Sequence, residues 1–189
     1  MVILVSGGAS SGKSAWAEKI ACNLGASHGG LPLFYLATLD KKSGGDTPQR
    51  ILRHRALRSG KGFDTLELCV SLDGFHLSRA LSGGNEEFVA LPSLTGSTVL
   101  LEDMGNLVAR AVFSNLKSSP DNAVEQFLES LSRICMNLVV VTNEIFLEEL
   151  NLADEGMGSY YASLARANRI VGKMARTVYH VVAGIPLEL

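Results

Sequence analysis

Eight consecutive residues carry the clearest chemical signal in the chain: Gly7-Gly8-Ala9-Ser10-Ser11-Gly12-Lys13-Ser14. A glycine, four further residues, then Gly-Lys-Ser is the spacing of a phosphate-binding loop. The glycines let the backbone curl so that successive N–H groups turn inward toward phosphate oxygens. The helix expected to start at Ser14 adds the positive end of its dipole at the same place. Lys13 is placed to reach the β- and γ-phosphates of a nucleoside triphosphate, and the Ser14 hydroxyl to ligate Mg²⁺. The plain alternative is a glycine-rich turn between a strand and a helix. The apolar run before the loop and the helical pattern after it favour the phosphate loop.

A triphosphate loop of this kind works with a carboxylate that organises the metal shell, set at the end of an apolar strand. Val99-Leu100-Leu101-Glu102-Asp103 supplies one, and Glu102, which follows the apolar run directly, is the preferred residue. A second strand end, Thr142-Asn143-Glu144, is the other candidate. A third feature lies between Thr47 and Phe63. That stretch has no acid but holds Arg50, Arg53, Arg55, Arg58, Lys61 and a lone His54. Forked guanidinium groups suit triphosphate oxygens. Surrounding positive charge disfavours imidazolium, and neutral imidazole is the nucleophilic form. His54 is thus a candidate to attack a nucleotide phosphorus and form a phosphoramidate. A solvated basic helix face is the competing reading. The remaining histidines, His28, His76 and His180, lack such surroundings and read as structural or surface residues.

The elements that must carry these residues alternate along the chain. Strands are expected at Val2 to Val5, Leu33 to Ala37, Thr65 to Val70, Thr98 to Leu101, Leu138 to Val141 and Val178 to Val182. The last of these is closed by Gly184 and Pro186. Helices are expected at Ser14 to Leu24, with Trp16, Ile20 and Leu24 on one face, and from Thr47-Pro48 to about Arg58. Others run from Leu107 to Leu116, from Ser119-Pro120 to about Cys135, and from Tyr160 to Ala175. Residues 40–46 read as a loop. The stretch from Ser71 to Leu94 reads as a helix and a loop broken at Gly83-Gly84-Asn85. Val- and Leu-rich strands without polar alternation indicate a sheet covered on both faces. Alternation with helices then implies a mainly parallel sheet with right-handed crossovers, an α/β fold in a single domain over residues 1–189.

Size and composition agree with one globular domain: 189 residues, 47% hydrophobic and 19% charged. A net charge of −2 argues against a bulk nucleic-acid binder. Cys22, Cys69 and Cys135 lack metal-ligand spacing and read as reduced thiols. No run is long and apolar enough for a membrane span and no leader precedes the loop, so a cytoplasmic location is expected.

Several blocks together resemble one family, the bifunctional adenosylcobinamide kinase / adenosylcobinamide-phosphate guanylyltransferases of cobalamin biosynthesis. They are Ile3-Leu4-Val5-Ser6-Gly7 through Ser14, Tyr35-Leu36-Ala37-Thr38, Arg50-Ile51-Leu52-Arg53-His54-Arg55 and Thr65-Leu66-Glu67. Leu100-Leu101-Glu102, Val140-Val141-Thr142-Asn143-Glu144 and the tail through Val181-Val182-Ala183-Gly184-Ile185-Pro186-Leu187 complete the set. The resemblance implies a RecA-like P-loop fold and two reactions. A nucleoside triphosphate, ATP or GTP, phosphorylates adenosylcobinamide. GTP then transfers GMP through a histidine onto the corrinoid phosphate. It implies His54 as the guanylylated histidine, Ala37, Thr38, Arg55, Arg58, Glu67 and Glu102 in the nucleotide site, Mg²⁺ held by Ser14 and Glu102, and a homo-oligomer, commonly a trimer. After Glu144 this chain reads Ile145-Phe146-Leu147-Glu148-Glu149-Leu150 where the family carries a glycine-rich run. A kinase without the covalent step and a nucleotide-binding regulator with little turnover therefore stay open at this point.

Overall fold

The computed structural model describes residues 1–39, 60–80, 86–144 and 155–189. The helix expected over residues 47–58, with His54, Arg55 and Arg58, lies outside the described residues, as does the altered stretch after Glu144.

Strands β1 (Val2–Gly7), β2 (Leu33–Ala37), β3 (Phe63–Ser71), β4 (Gly74–Ala80), β5 (Glu86–Val89), β6 (Thr98–Glu102), β7 (Asn137–Asn143), β8 (Thr177–Val182) and β9 (Ile185–Glu188) form one sheet. Its order is β5-β4-β3-β2-β6-β7-β1-β8-β9. The six central strands, β3 to β8 in that order, are parallel to their neighbours, and the additions at both edges are antiparallel. Every residue of β6 is buried, and every residue of β7 except Asn143. Strands shielded on both sides need no polar alternation, which is why these segments read as continuous apolar runs.

Helix α1 (Lys13–Ser27) covers one face, packing Ala17 and Ala21 with Trp16, Ile20 and Leu24 against Ile3, Val5, Leu100, Val139 and Val141. Helices α2 (Met104–Val112), α3 (Pro120–Ile134) and α4 (Glu155–Met174) cover the other, over Leu4, Leu36, Leu66, Leu101, Leu138 and Val140. The expected α/β architecture, a mainly parallel sheet with helices on both faces, is what the structure shows. Fully buried Leu36, Leu100 and Leu101 each contribute roughly 1.5–3 kcal/mol of burial. Cys135 is buried in the same core, and desolvation pushes its thiol up to about 12, so it packs as a small apolar group.

Two expectations are corrected. Residues 71–94 supply strands β4 and β5 and a 3-10 turn at Leu91–Leu94, not a helix and a loop. Phe75 and Leu77 pack on the core while His76 and Ser78 alternate with them, the period-two pattern of a strand whose two faces differ. Nor is β8 the last strand. The chain reverses at Ala183 (φ 49°) and Gly184 (φ 81°) and returns as β9. Pro186 is tolerated because β9 lies at the sheet edge, where a missing N–H breaks no ladder. No helix among the described residues is long and apolar enough to cross a membrane.

Candidate functional site

The phosphate loop forms where sequence placed it, between the end of β1 and the start of α1. Its curl is held by Ser11 N–H donating to Gly8 O (3.2 Å) and by the Lys13 ammonium donating to the same carbonyl (3.0 Å). Gly12 adopts a left-handed φ of 92°, which a side chain would strain. Gly7 meets a different constraint. A Cβ there would stand 2.6 Å from the Val181 carbonyl oxygen of β8 and 2.6 Å from Ser11 Oγ.

Helix α1 is unusual in what it lacks. Its N-cap is Gly12, which has no side chain with which to cap it, and its first turn holds no acid. Asp103 and Ser119, by contrast, cap α2 and α3 by accepting from Asn106 N–H (2.7 Å) and Asn122 N–H (3.2 Å). The first N–H groups of a helix have no partner within it. At α1 they stand beside the dipole's positive end, where an anion is favoured. Ser11 Oγ is buried there with no hydrogen-bond partner among the described residues, a second polar atom that a phosphate oxygen would satisfy.

The carboxylates gather on the α1 face by register. Ala37 of β2 pairs with Glu67 of β3 on one side and with Glu102 of β6 on the other. Residues directly paired in parallel strands point to the same face, so the two acids flank Ala37 roughly 10 Å apart at two strand spacings. Both are more than nine-tenths buried, as is Lys13. One strand, β7, separates β1 from β6, so Glu102 stands two strands from the phosphate loop rather than on its immediate neighbour. This is the crevice outside the strand C-termini where open α/β sheets bind ligands.

Thr38 is fully buried, and its hydroxyl donates to Asp103 O (2.9 Å) while its N–H donates to Glu102 O (3.2 Å). It therefore fixes the turn that presents Glu102. Asn143, paired with Gly7, donates through Nδ2 to Asp103 Oδ2 (3.3 Å), linking β7 to the same turn. Tyr160 closes this corner from α4. Its phenol is pushed up to about 12 by burial, and then by the neighbouring Asp103 and Tyr161. Lys61, grouped by sequence with the arginines, pairs with Glu18 of α1.

Glu144, the second candidate carboxylate, turns elsewhere. Its Oε2 lies 3.4 Å from His180 Nε2, and His180 Nδ1 lies 3.2 Å from Ser6 Oγ. Sequence reasoning missed this group because its members are 36 to 174 positions apart and join only through strand pairing. The other two histidines are local: His28 Nδ1 contacts Leu24 O (2.9 Å), and His76 Nε2 contacts Ser71 Oγ (2.6 Å). His54, Arg55 and Arg58 lie outside the described residues. Among the described residues no group of three or more His, Cys, Asp or Glu forms a metal cluster. The oxygen donors present, a serine hydroxyl and one or two carboxylates, fit an ion that keeps several waters and takes phosphate oxygens, as Mg²⁺ does.

Comparison with known proteins gives a consistent result. A family model described as cobinamide kinase / cobinamide phosphate guanyltransferase matches residues 3–189. The bifunctional adenosylcobalamin biosynthesis protein CobP of Pseudomonas aeruginosa is 27% identical over 186 residues, covering 98% of this chain and 95% of that protein. Among solved structures, a KaiC-like protein from Pyrococcus horikoshii overlaps with a TM-score of 0.43 at 11% identity, covering 95% of this chain and 69% of that one. The flagellar accessory protein FlaH of Methanocaldococcus jannaschii overlaps at 0.42 and 12%, covering 100% and 75%. The strand order and register given above, rather than these partial overlaps, define the fold.

Proposed function

The chain belongs to the cobinamide kinase / cobinamide phosphate guanyltransferase family, and on that premise we propose that it phosphorylates adenosylcobinamide and then moves GMP from GTP, by way of His54, onto the phosphate so formed. The family and its CobP relative make it an enzyme of both activities in general. The observation that supports the detailed reading most strongly is the glycine-capped start of α1 wrapped by the phosphate loop, on the sheet face that carries Glu67 and Glu102.

In the first step the aminopropanol hydroxyl oxygen attacks the γ-phosphorus. The bond to the β,γ-bridging oxygen breaks, a nucleoside diphosphate leaves, and the hydroxyl proton is released. The loop N–H groups and Lys13 stabilise charge on the transferring phosphoryl group, which is positioning and electrostatics rather than covalent chemistry. The Ser14 hydroxyl and the Glu102 carboxylate would hold Mg²⁺, which would supply neutralisation of the triphosphate charge. In the second step a neutral His54 ring nitrogen attacks the α-phosphorus of GTP and pyrophosphate leaves. A phosphate oxygen of the corrinoid then attacks the same phosphorus, the P–N bond breaks, and adenosyl-GDP-cobinamide departs. Arg55 and Arg58 neutralise the phosphates during this transfer, and Glu67 orients the nucleotide with Ala37 and Thr38. His54, Arg55 and Arg58 enter this scheme through the family resemblance.

We place the enzyme in the cytoplasm, where Cys22, Cys69 and Cys135 stay as the free thiols they are here. We also propose a homo-oligomer, a trimer by the family resemblance. Exposed Ile185, Leu187 and Leu189 on the tail offer apolar surface for contact between copies.

The test uses purified protein, adenosylcobinamide, Mg²⁺ and γ-labelled ATP or GTP. Label should reach the corrinoid, and Lys13→Ala should lower kcat/KM at least about 100-fold. Absence of corrinoid-dependent transfer from either nucleotide in the wild-type protein would defeat the substrate assignment.

A further inference from the structure

Beneath the phosphate loop, on the sheet face away from α1, three polar side chains from three neighbouring strand ends meet. Ser6 of β1 pairs with His180 of β8 in the sheet, and Glu144 follows directly after β7. His180 Nδ1 is 3.2 Å from Ser6 Oγ, which also donates to Tyr179 O at 3.2 Å. His180 Nε2 is 3.4 Å from Glu144 Oε2. The Glu144 carboxylate oxygens are acceptors, and Nε2 is the ring nitrogen that faces them. The imidazole thus spans β8, β1 and the exit of β7, crossing under the residue that precedes Gly7.

The backbone around it is tied to the loop at the same places. Glu144 N–H donates to Gly7 O (3.1 Å), fixing the first residue of the loop. The Val181 carbonyl, next to His180, occupies the space beside Gly7. At the tip of the β8–β9 hairpin, Gly184 N–H donates to Ser11 O (2.8 Å), and Gly184 Cα lies 3.3 Å from where a Gly12 Cβ would stand. The hairpin therefore touches the loop at its first, fifth and sixth residues, and His180 is its side-chain link to the opposite neighbour, β7.

We propose that His180 is a positioning residue: by holding Glu144 against Ser6 it locks the backbone of Gly7 and keeps the phosphate loop shaped for a triphosphate before one arrives. A loop set in its binding form spends less of the binding free energy on ordering, so its loss weakens substrate binding more than it slows chemistry. This inference rests on the nucleotide role assigned to residues 7–14, and its test separates the two.

The experiment compares wild type, His180→Ala, His180→Gln, Glu144→Ala and the double variant His180→Ala/Glu144→Ala. The readouts are amide exchange of residues 7–14 in ligand-free protein and steady-state kinetics with GTP and the corrinoid acceptor. His180→Ala should raise exchange across residues 7–14 and raise KM for GTP about tenfold, with kcat changed less than about twofold. His180→Gln, which can still donate to Glu144, should recover most of the loss. The double variant should resemble either single variant, because both remove one link. Unchanged exchange and unchanged KM in His180→Ala would overturn the proposal. So would a fall in kcat alone, no rescue by glutamine, or effects of the two single variants that simply add. If wild-type protein shows no GTP-dependent turnover, the functional assignment fails instead, and exchange in the ligand-free variants still decides the positioning role.

Discussion

Gly7→Ala is the most discriminating single change in the loop, because the structure predicts its cost without reference to any ligand. The added Cβ would meet Ser11 Oγ and the Val181 carbonyl oxygen, each at 2.6 Å. Ser11 can rotate its hydroxyl away. The Val181 carbonyl cannot yield, because it belongs to β8, whose Val181 is paired with Gly7 in the parallel ladder. The strand end and the loop must therefore separate by several tenths of an ångström. Overpacking of this kind costs about 1–3 kcal/mol. At about 2 kcal/mol, a domain of this size should lose roughly 4–8 °C in Tm. Gly8→Ala is the internal control, since nothing lies within 4 Å of a Cβ at that position. Thermal unfolding by circular dichroism, with nucleotide KM measured alongside, separates the two variants. Gly7→Ala should be less stable and bind triphosphate more weakly, with Gly8→Ala within about 0.5 kcal/mol of wild type in stability. Equal Tm and equal KM in the two alanine variants would refute the claim that β8 presses on the loop.

Two further outcomes follow from the corner around Asp103. Tyr160 has its phenol raised to about 12, against an ordinary value near 10. The unfolded chain therefore ionises first, and the stability this group contributes is intact below pH 10 and lost as pH climbs toward 12. Urea unfolding across that window should show a shallower alkaline decline for Tyr160→Phe, and an identical decline would contradict it. Asp103→Ala removes the cap that accepts from Asn106 N–H and the partner of Asn143 Nδ2. Chemical denaturation should show a loss of about 1–2 kcal/mol, and the same variant should lower kcat/KM because Glu102 loses its support. No change in either would show that the turn holds itself.

Legibility of the sequence tracked how local each feature is. The phosphate loop spans eight contiguous residues whose spacing is itself the mechanism, so it could be read directly. Glu102 was visible as the acid ending an all-apolar run. Glu67 was not visible by pattern, since β3 mixes acids with leucines, and only the register through Ala37 shows that it shares a face with Glu102. The antiparallel strands added at the two sides of the sheet were the hardest. In β4 and β5 the glycines and acids of residues 73–87 masked the alternation of Phe75, His76, Leu77 and Ser78. In β9, Pro186 resembled a terminator because its edge position could not be known from sequence. His180 read as an ordinary histidine because its partners, Ser6 and Glu144, come from the other end of the chain and from a different strand.

The proposed transfer requires a covalent bond between GMP and His54. Incubation with α-labelled GTP and Mg²⁺, followed by acid- and base-stability tests and peptide mapping, measures it directly. The expected result is one acid-labile, base-stable guanylyl group on the peptide carrying His54, absent in His54→Ala while that variant still binds triphosphate. Label that persists in His54→Ala, or a wild-type protein that turns over GTP and corrinoid without ever becoming labelled, would contradict it.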